Sequence, residues 1–291
     1  MKKLLVLAAI LFGLNTITNA QVGVTDDNNI KNFRFGLIGG TSFNWLNVNA
    51  DETSKFENNG VGLGFNWGLQ MEFKLNNNLS VVTGLSMNYD TYKLNFNSAS
   101  SSDTIIYMLD EGKYKTFDAP YSTDSNIVTA DMYHLKSRTY KANYVNIPIN
   151  LKMKTNEIGY LTYYGQFGLN VGIKTGAKSK DERAEVAYSS VDSSRTFVYS
   201  TENSTSDKLN VASSVAPVRF GINIGGGAEY NLSGNTSVFF SLQYNHNFIN
   251  VLNKSKNEDF LRKYNSSTDE FIQVSPRVIP GSVSLTVGIL F

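Results

Sequence analysis

The sequence offers few side chains that could catalyse a reaction or bind a metal. It contains two histidines, His134 and His246, and no cysteine. Neither histidine has a carboxylate at the spacing of a metal site, so we predict no metal or other cofactor. His246 could serve a lipid-modifying enzyme with a serine beside it, but Phe248 stands two residues further on. We favour the alternative, an interfacial histidine without a chemical role, and predict a protein that is not an enzyme.

Charged side chains stand at every second position of several apolar segments, and this placement predicts a structural role. If those segments are strands, the charges share one face and would lie inside a closed sheet. Charges buried there must be paired, so we predict a network that fills the interior, with an ion or solute path as the alternative. The predicted lumen network consists of Arg34, Glu72, Lys74, Lys152, Lys154 and Glu229. Within it, Arg34 is expected across from Lys74 and diagonal to Glu72, within reach of its carboxylate.

The segment 61–75 shows most clearly which element must position these charges. Its odd positions are bulky and apolar, while its even positions are glycine or polar residues. Because successive side chains of a strand point to opposite faces, this pattern predicts a strand with one fully apolar face. A lipid-facing strand of a transmembrane barrel needs about 9–11 such residues. The polar face would then line the interior of the barrel.

The same alternation recurs in about eight segments, and the connections between them are short and long in turn. Short turns rich in Asn, Gly and Ser alternate with long polar stretches near 47–60, 97–141, 177–217 and 251–279. This arrangement predicts an all-β fold, an eight-stranded antiparallel transmembrane β-barrel with short periplasmic turns and long extracellular loops. The predicted strands are 33–45, 61–75, 79–96, 143–155, 160–176, 218–231, 237–250 and 282–291. A water-soluble barrel would instead carry its apolar residues inside.

Two of the long connections contain patterns of their own. Residues 104–109 and 114–117 flank a turn, as do 185–188 and 196–199, so each pair predicts a β-hairpin above the membrane. Exposed Tyr and Phe in such hairpins suit contact with a protein partner. Solvated, variable loops are the alternative.

The N-terminus indicates where the protein is located, and the overall charge indicates which partners it can bind. Residues 1–20 carry two lysines, an apolar run and a small residue at position 20, which predicts an export signal peptide. A buried N-terminal helix is the alternative. We therefore divide the chain into a signal peptide (1–20), a periplasmic N-terminal segment (21–32) and an outer-membrane barrel (33–291). The chain has 26 basic and 25 acidic residues, so no nucleic-acid partner is expected.

Aromatic residues fall at the ends of the predicted strands, where a membrane-interface belt needs them. The aromatic core of a soluble β-protein is the alternative explanation. The predicted belt comprises Phe33, Phe43, Trp45, Phe73, Tyr89, Tyr230, Phe248 and Phe291. The last strand places Val287, Ile289 and Phe291 on one face, which resembles the signal by which outer-membrane barrels are passed to their insertion machinery.

One segment resembles a known family. Residues 144–152 have the pattern Tyr-x-x-Ile-Pro-x-x-x-Lys, and a Gly-rich strand follows a tight turn. This is similar to the fourth and fifth strands of the PorT-like outer-membrane β-barrel family, whose layout the mature chain shares. The resemblance implies an integral outer-membrane protein and assigns no site residue. Because Pro148 cannot donate a backbone hydrogen bond, we expect a bulge or bend there.

Three functional classes follow from these patterns. We predict a non-enzymatic scaffold or accessory factor in secretion, adhesion or envelope organisation, acting through its extracellular loops as a monomeric barrel in outer-membrane lipid. A small-solute, porin-like channel is the alternative, and a lipid-modifying enzyme is the third. An eight-stranded barrel is narrow enough to be filled by its own side chains, so we expect no conductance.

Overall fold

The structure, a computed structural model, describes residues 33–49, 56–96, 105–115, 131–191, 194–206, 208–234, 236–253, 261–265, 270–273 and 277–291. The predicted signal peptide and the segment 21–32 lie outside the described residues. The strands are β1 (Phe33–Asn49), β2 (Phe56–Asn58), β3 (Gly62–Lys74), β4 (Leu79–Phe96), β5 (Ile105–Asp110), β6 (Lys113–Lys115), β7 (Asp131–Lys154), β8 (Leu161–Val191), β9 (Ser194–Thr205), β10 (Leu209–Asn210), β11 (Val218–Ser233), β12 (Thr236–Asn247), β13 (Arg262–Asn265), β14 (Glu270–Gln273) and β15 (Arg277–Leu290). No described segment forms a helix long and apolar enough to cross a membrane.

Eight strands close into a ring in which every neighbouring pair is antiparallel, and this confirms the predicted barrel. The order around the ring is β1, β3, β4, β7, β8, β11, β12 and β15, after which β15 pairs with β1. Closure leaves no unpaired edge within the ring, which a sheet in lipid requires because no water is present to satisfy its backbone groups.

The predicted faces of the strands are also confirmed. On β3 the apolar side chains point outward, and Leu63 is 67% exposed while Trp67 is 51% exposed. The alternate side chains point inward, so Asn66 and Glu72 are buried. A continuous apolar surface around the ring therefore surrounds a polar interior, the arrangement of a barrel in a lipid bilayer.

The two ends of the barrel differ in their connections. At one end, which we call the short-turn end, the turns after β3, β7 and β11 each span only a few residues. Asn78 fixes this end because its backbone N–H donates to Asn76 Oδ1 and its side chain donates to the carbonyl of Lys154. At the other end the strands continue into long connections, and we call it the long-connection end.

Several ring strands extend well beyond the predicted boundaries at the long-connection end. β7 begins at Asp131 rather than at 143, and β8 continues to Val191 rather than ending at 176. The predicted loops 97–141 and 177–217 are therefore partly strand. Both predicted hairpins are confirmed, since β5 pairs with β6 and β8 pairs with β9.

The polarity of the strands inverts along their length. On β4 the inward side chains change from Ser86 and Asp90 to Tyr92 and Leu94, while the outward side chains change from apolar to polar beyond Tyr89. We call the part with apolar outward side chains the membrane barrel and the part beyond it the upper barrel. The upper barrel encloses an apolar core that includes Leu46, Tyr92, Leu94, Phe96, Tyr107, Leu135, Tyr140, Ala142, Ala177, Leu209, Val215, Leu252 and Val278. It has the organisation of a water-soluble barrel.

A bulge on β8 helps to place side chains at the boundary. The pairing with β7 shifts between Asn143 and Tyr144, which leaves Thr175 as an extra residue on β8. Its hydroxyl donates to the carbonyl of Asn143 at 3.2 Å. Because the extra residue changes the alternation, both Lys174 and Ala177 face inward.

The prediction of a bulge at Pro148 was wrong. Pro148 pairs with Asn170 of β8 without any change of register. On its other side β7 pairs with β4. In that ladder Ile149 and Asn146 are paired in the same register, but Ile147 and Pro148 between them have no partner. The missing donor of the proline is therefore accommodated by a local gap in one ladder.

Candidate functional site

The interior of the barrel is the candidate functional region, and its lowest layer is a cluster of charges near the short-turn end. We define the charge cluster as Arg34, Glu72, Lys152, Lys154 and Glu229, all buried or nearly so. Arg34 Nη2 lies 2.7 Å from Glu72 Oε2 and 2.9 Å from Glu229 Oε2. Both lysines also contact both carboxylates. Each carboxylate is thus shared by three cations, which compensates its removal from water.

The register that produces the cluster differs from the predicted one. Arg34 lies directly opposite Glu72, not opposite Lys74. Lys74 belongs to the predicted lumen network, but it is only half-buried at the barrel mouth and forms no ion pair with any described residue. The structure therefore brings five of the six predicted residues together and leaves Lys74 apart.

An apolar layer covers the charge cluster on its inner side. It consists of Tyr164, Phe239 and Leu290, with Ile38 packed against them. Lys152 Nζ lies 4.0 Å from the centre of the Tyr164 ring, a cation–π geometry. The Tyr164 hydroxyl in turn donates to the carbonyl of Phe240 at 3.1 Å. This layer separates the charges from the centre of the barrel.

The centre of the membrane barrel holds a cavity of about 90 Å³ lined mostly by amide and hydroxyl side chains. We call it the amide chamber. The side-chain oxygens of Asn150, Asn170 and Asn223 are buried there without a protein hydrogen-bond partner. A polar cavity of this size has room for several water molecules, which would satisfy those oxygens.

A second ion pair closes the amide chamber on its other side. Arg219 binds Asp90, and its Nε donates to Asn146 Oδ1 at 3.1 Å. The guanidinium also lies 4.3 Å from the ring centre of Tyr144. Glycine at position 172 leaves room for it, since a Cβ there would collide with the Arg219 side chain.

A third ion pair lies inside the core of the upper barrel, and sequence analysis missed it. Arg138 donates to Asp181 through two bonds of 2.7 and 2.6 Å, and both side chains are almost wholly buried. The Arg138 guanidinium also lies over the rings of Tyr107 and Tyr140. Burial raises the pKa of the Tyr140 hydroxyl, which therefore stays protonated. Both residues of the pair fell within predicted loops. The only sequence signal for them was that the two-residue alternation of side chains continues beyond the apolar part of each strand.

The two histidines lie in different environments. His246 faces outward between the rings of Tyr244 and Phe248, at 6.5 and 5.6 Å. His134 is half-buried in the upper barrel, where desolvation and the charge of Lys136 lower its pKa to about 4. Within the described ranges, no three His, Asp or Glu side chains are grouped closely enough to hold a metal ion.

The predicted belt residues point outward at the two ends of the membrane barrel. Phe33 packs on Phe73 at 5.1 Å near the short-turn end. Trp45 stacks on Tyr244 at 6.1 Å near the long-connection end. The other predicted members are Phe43, Tyr89, Tyr230, Phe248 and Phe291, all exposed on the outer surface.

The predicted assembly residues share the outer face of the last strand. Val287 and Phe291 are exposed and Ile289 is half-buried. The backbone N–H of Phe291 donates to the carbonyl of Phe35, which ties the end of the chain to β1. Recognition of these residues by insertion machinery stays a prediction.

Comparison with known proteins identifies the family. A family model described as outer membrane protein beta-barrel domain matches residues 19–253, most of the chain. The chain therefore belongs to this family, whose members are integral to the Gram-negative outer membrane. No curated protein matches the chain.

Three similar solved structures share only low sequence identity with the chain. Neisserial surface protein A is 9% identical, with 88% of this chain and 96% of that chain covered and a TM-score of 0.37. Ail, the attachment invasion locus protein of Yersinia pestis, is 11% identical, with 89% and 98% covered and a TM-score of 0.26. A major outer membrane protein from Thermus thermophilus is 13% identical, with 89% and 98% covered and a TM-score of 0.36.

Proposed function

We propose that this member of the outer membrane protein β-barrel domain family is a non-enzymatic scaffold or accessory factor that binds a partner outside the cell through its upper barrel. The observation that carries the proposal is the apolar core of the upper barrel. Strands that continue beyond the membrane around a core of their own hold a fixed surface above the bilayer, whereas unpacked loops would not.

The orientation follows from the two ends of the barrel. We place the short-turn end in the periplasm and the long-connection end outside, as is usual for outer-membrane barrels. The chain would then reach the membrane through its signal peptide, contact lipid through its belt residues and work as a single barrel. Within the family, the segment from Tyr144 to Lys152 supports a PorT-like member.

The outward surface of the upper barrel suggests the chemistry of the partner. Lys141 and Lys178 lie directly opposite each other on β7 and β8, and Lys180 follows on the same face. All three are exposed, and none forms an ion pair with a described residue. Like charges placed opposite each other across a ladder repel, so an anionic surface would bind here favourably. We therefore propose a partner with acidic groups, in protein secretion or adhesion.

The interior supports the scaffold over the porin-like channel. Three ion-paired layers and the apolar layer around Tyr164 lie one after another inside the described barrel. The apolar layer and the Arg219–Asp90 pair border the amide chamber. A barrel of eight strands has no width left for a water column once such side chains are packed inside.

Site-specific photocrosslinking in cells tests the proposed surface. A photoreactive residue is introduced in place of Lys141 or Lys178, and the matched control places it at Trp67 on the lipid-facing surface. We expect a protein or polysaccharide adduct at the two upper-barrel positions and only lipid adducts at position 67. Failure to capture any macromolecule at positions 141 and 178 above the control would contradict the proposal.

A further inference from the structure

The mouth of the barrel at the short-turn end is an open cavity of about 320 Å³, which we call the vestibule. Its floor is formed by Arg34, Lys154 and Glu229 of the charge cluster, and Lys74 stands in its wall. The remaining wall consists of one further carboxylate, Glu157, and of polar side chains on the short turns and strand ends. These include Asn77, Asn156, Thr162, Asn231 and Ser237. The vestibule surface is mostly polar, which suits a polar ligand better than a lipid or an apolar peptide.

The charges in and beneath the vestibule do not balance. Four cations, Arg34, Lys74, Lys152 and Lys154, face three carboxylates, Glu72, Glu157 and Glu229, which leaves an excess of one positive charge. Glu72 and Glu229 are already shared among Arg34, Lys152 and Lys154, so neither is left to pair with Lys74. The vestibule thus carries an excess of positive charge in a partly desolvated setting, where a positive potential is screened less than on an open surface.

One buried donor of the charge cluster is also unused. The Arg34 side chain is only 7% exposed, and its Nη2 is taken up by the two carboxylates. Its Nε, however, has no hydrogen-bond partner among the described residues. A buried N–H without an acceptor is unfavourable. The Nε atom is closed off from the vestibule that Arg34 lines, so an oxygen acceptor bound there would reach it after a small shift of the Arg34 side chain.

We propose that the vestibule is a binding site for a small oxyanion that bears a carboxylate or a phosphate group. The ligand oxygens accept hydrogen bonds from Lys74 Nζ and Arg34 Nε, and the amide side chains of the turns contact its periphery. Charge-assisted bonds of this kind are among the stronger hydrogen bonds in proteins. The excess of positive charge disfavours cations. In the orientation proposed above, the site opens to the periplasm, but the proposal does not depend on an extracellular partner.

Binding is measured on the full mature chain, folded in detergent micelles, by isothermal titration calorimetry with inorganic phosphate and, separately, with succinate. Chloride at matched ionic strength serves as the reference. We expect saturable binding of at least one of the two anions. Binding of both indicates that charge and oxygen acceptors suffice, whereas binding of one identifies the preferred headgroup.

Lys74→Gln removes the unpaired cation at the mouth without touching the charge cluster. We expect it to weaken binding about tenfold, which is the effect of losing one charge-assisted bond. Lys208→Gln, which removes the same charge from an exposed position beside β10 at the long-connection end, is the matched control and should leave the affinity unchanged. Because Lys74 is half-exposed and unpaired, the variant should fold, and the different mobility of boiled and unboiled samples in gels verifies this.

Two results would overturn the proposal. The first is heat of binding no larger for phosphate and succinate than for chloride. The second is an equal loss of affinity in Lys74→Gln and Lys208→Gln, because anions would then respond to net charge rather than to the vestibule.

Discussion

At the scale of residues, the structure shows how charge is tolerated inside a narrow barrel. The two carboxylates of the charge cluster do not form separate pairs but share Arg34, Lys152 and Lys154. Removing one carboxylate leaves three cations facing the other. A loss of that kind is far more unfavourable than the loss of a surface ion pair, because the remaining charges stay buried.

The first prediction concerns Glu72, which is fully buried within this cluster. Glu72→Ala should destabilise the barrel by about 3–5 kcal/mol, the range for breaking a buried charge pair. Arg34→Ala should be less destabilising in the Glu72→Ala background than in the wild type. Urea unfolding in phospholipid vesicles measures all four members of this double-mutant cycle. Purely additive effects would contradict the coupling.

A control at the same end of the barrel separates this effect from a general loss of acidic charge. Glu157 is exposed on the turn after β7 and forms no ion pair with a described residue. Glu157→Ala should change the free energy of unfolding by no more than about 0.5 kcal/mol.

At the scale of elements, the ring strands combine two environments in one continuous ladder. β7 has Asn150 and Lys152 facing inward in the membrane barrel, and Leu135 and Tyr140 facing inward in the upper barrel. Only the solvent outside the barrel changes between these parts, from lipid to water. The inversion of side-chain polarity follows because a strand in water must bury its apolar face.

The second prediction tests the core of the upper barrel. Leu135 is fully buried in that core, so Leu135→Ala should destabilise the upper barrel by about 2–5 kcal/mol. Hydrogen exchange should therefore accelerate across 131–142, while the membrane part of β7 keeps its protection. Lys141→Ala on the outward face of the same strand is the matched control and should leave exchange unchanged. Equal exchange in the two variants would show that the core does not hold these strands.

At the scale of the whole molecule, the interior is a stack of layers. The charge cluster, the apolar layer, the amide chamber, the Arg219–Asp90 pair and the upper core follow one another along the barrel. A solute would have to separate at least two buried ion pairs to pass. This is why we interpret the lumen charges as structural rather than as an ion path.

The third prediction is that the barrel does not conduct. Planar-bilayer recording on the purified protein should show no stable conductance steps, because buried ion pairs and an apolar layer occupy the interior. A Cβ at Gly168 or Gly225 would collide with the backbone of a neighbouring strand, so a bulky residue in place of Gln243, which lines the amide chamber, is the better way to narrow any residual path. Reproducible steps in the wild type that disappear in that variant would support the channel instead.

The sequence by itself determined the faces of the strands and the class of fold. The alternation in 61–75 fixes which side chains point outward, because a strand has a period of two in every environment. An outward face as apolar as that of Leu63 and Trp67 then requires lipid around it. The family match and the closed ring agree with this prediction.

Only the tertiary structure decided the register and the upper barrel. Shifting two strands by two residues keeps every side chain on its face, so alternation cannot distinguish Arg34 opposite Lys74 from Arg34 opposite Glu72. In the closed ring, with its turns in place, the register is the one that sets Arg34 opposite Glu72. Likewise, Arg138 and Asp181 are 43 residues apart in segments that look like polar loops, and their outward neighbours are indeed polar. Their inward faces form a core only after β4, β7 and β8 have come together, because the burial of a side chain is a property of the assembled ring and not of one strand.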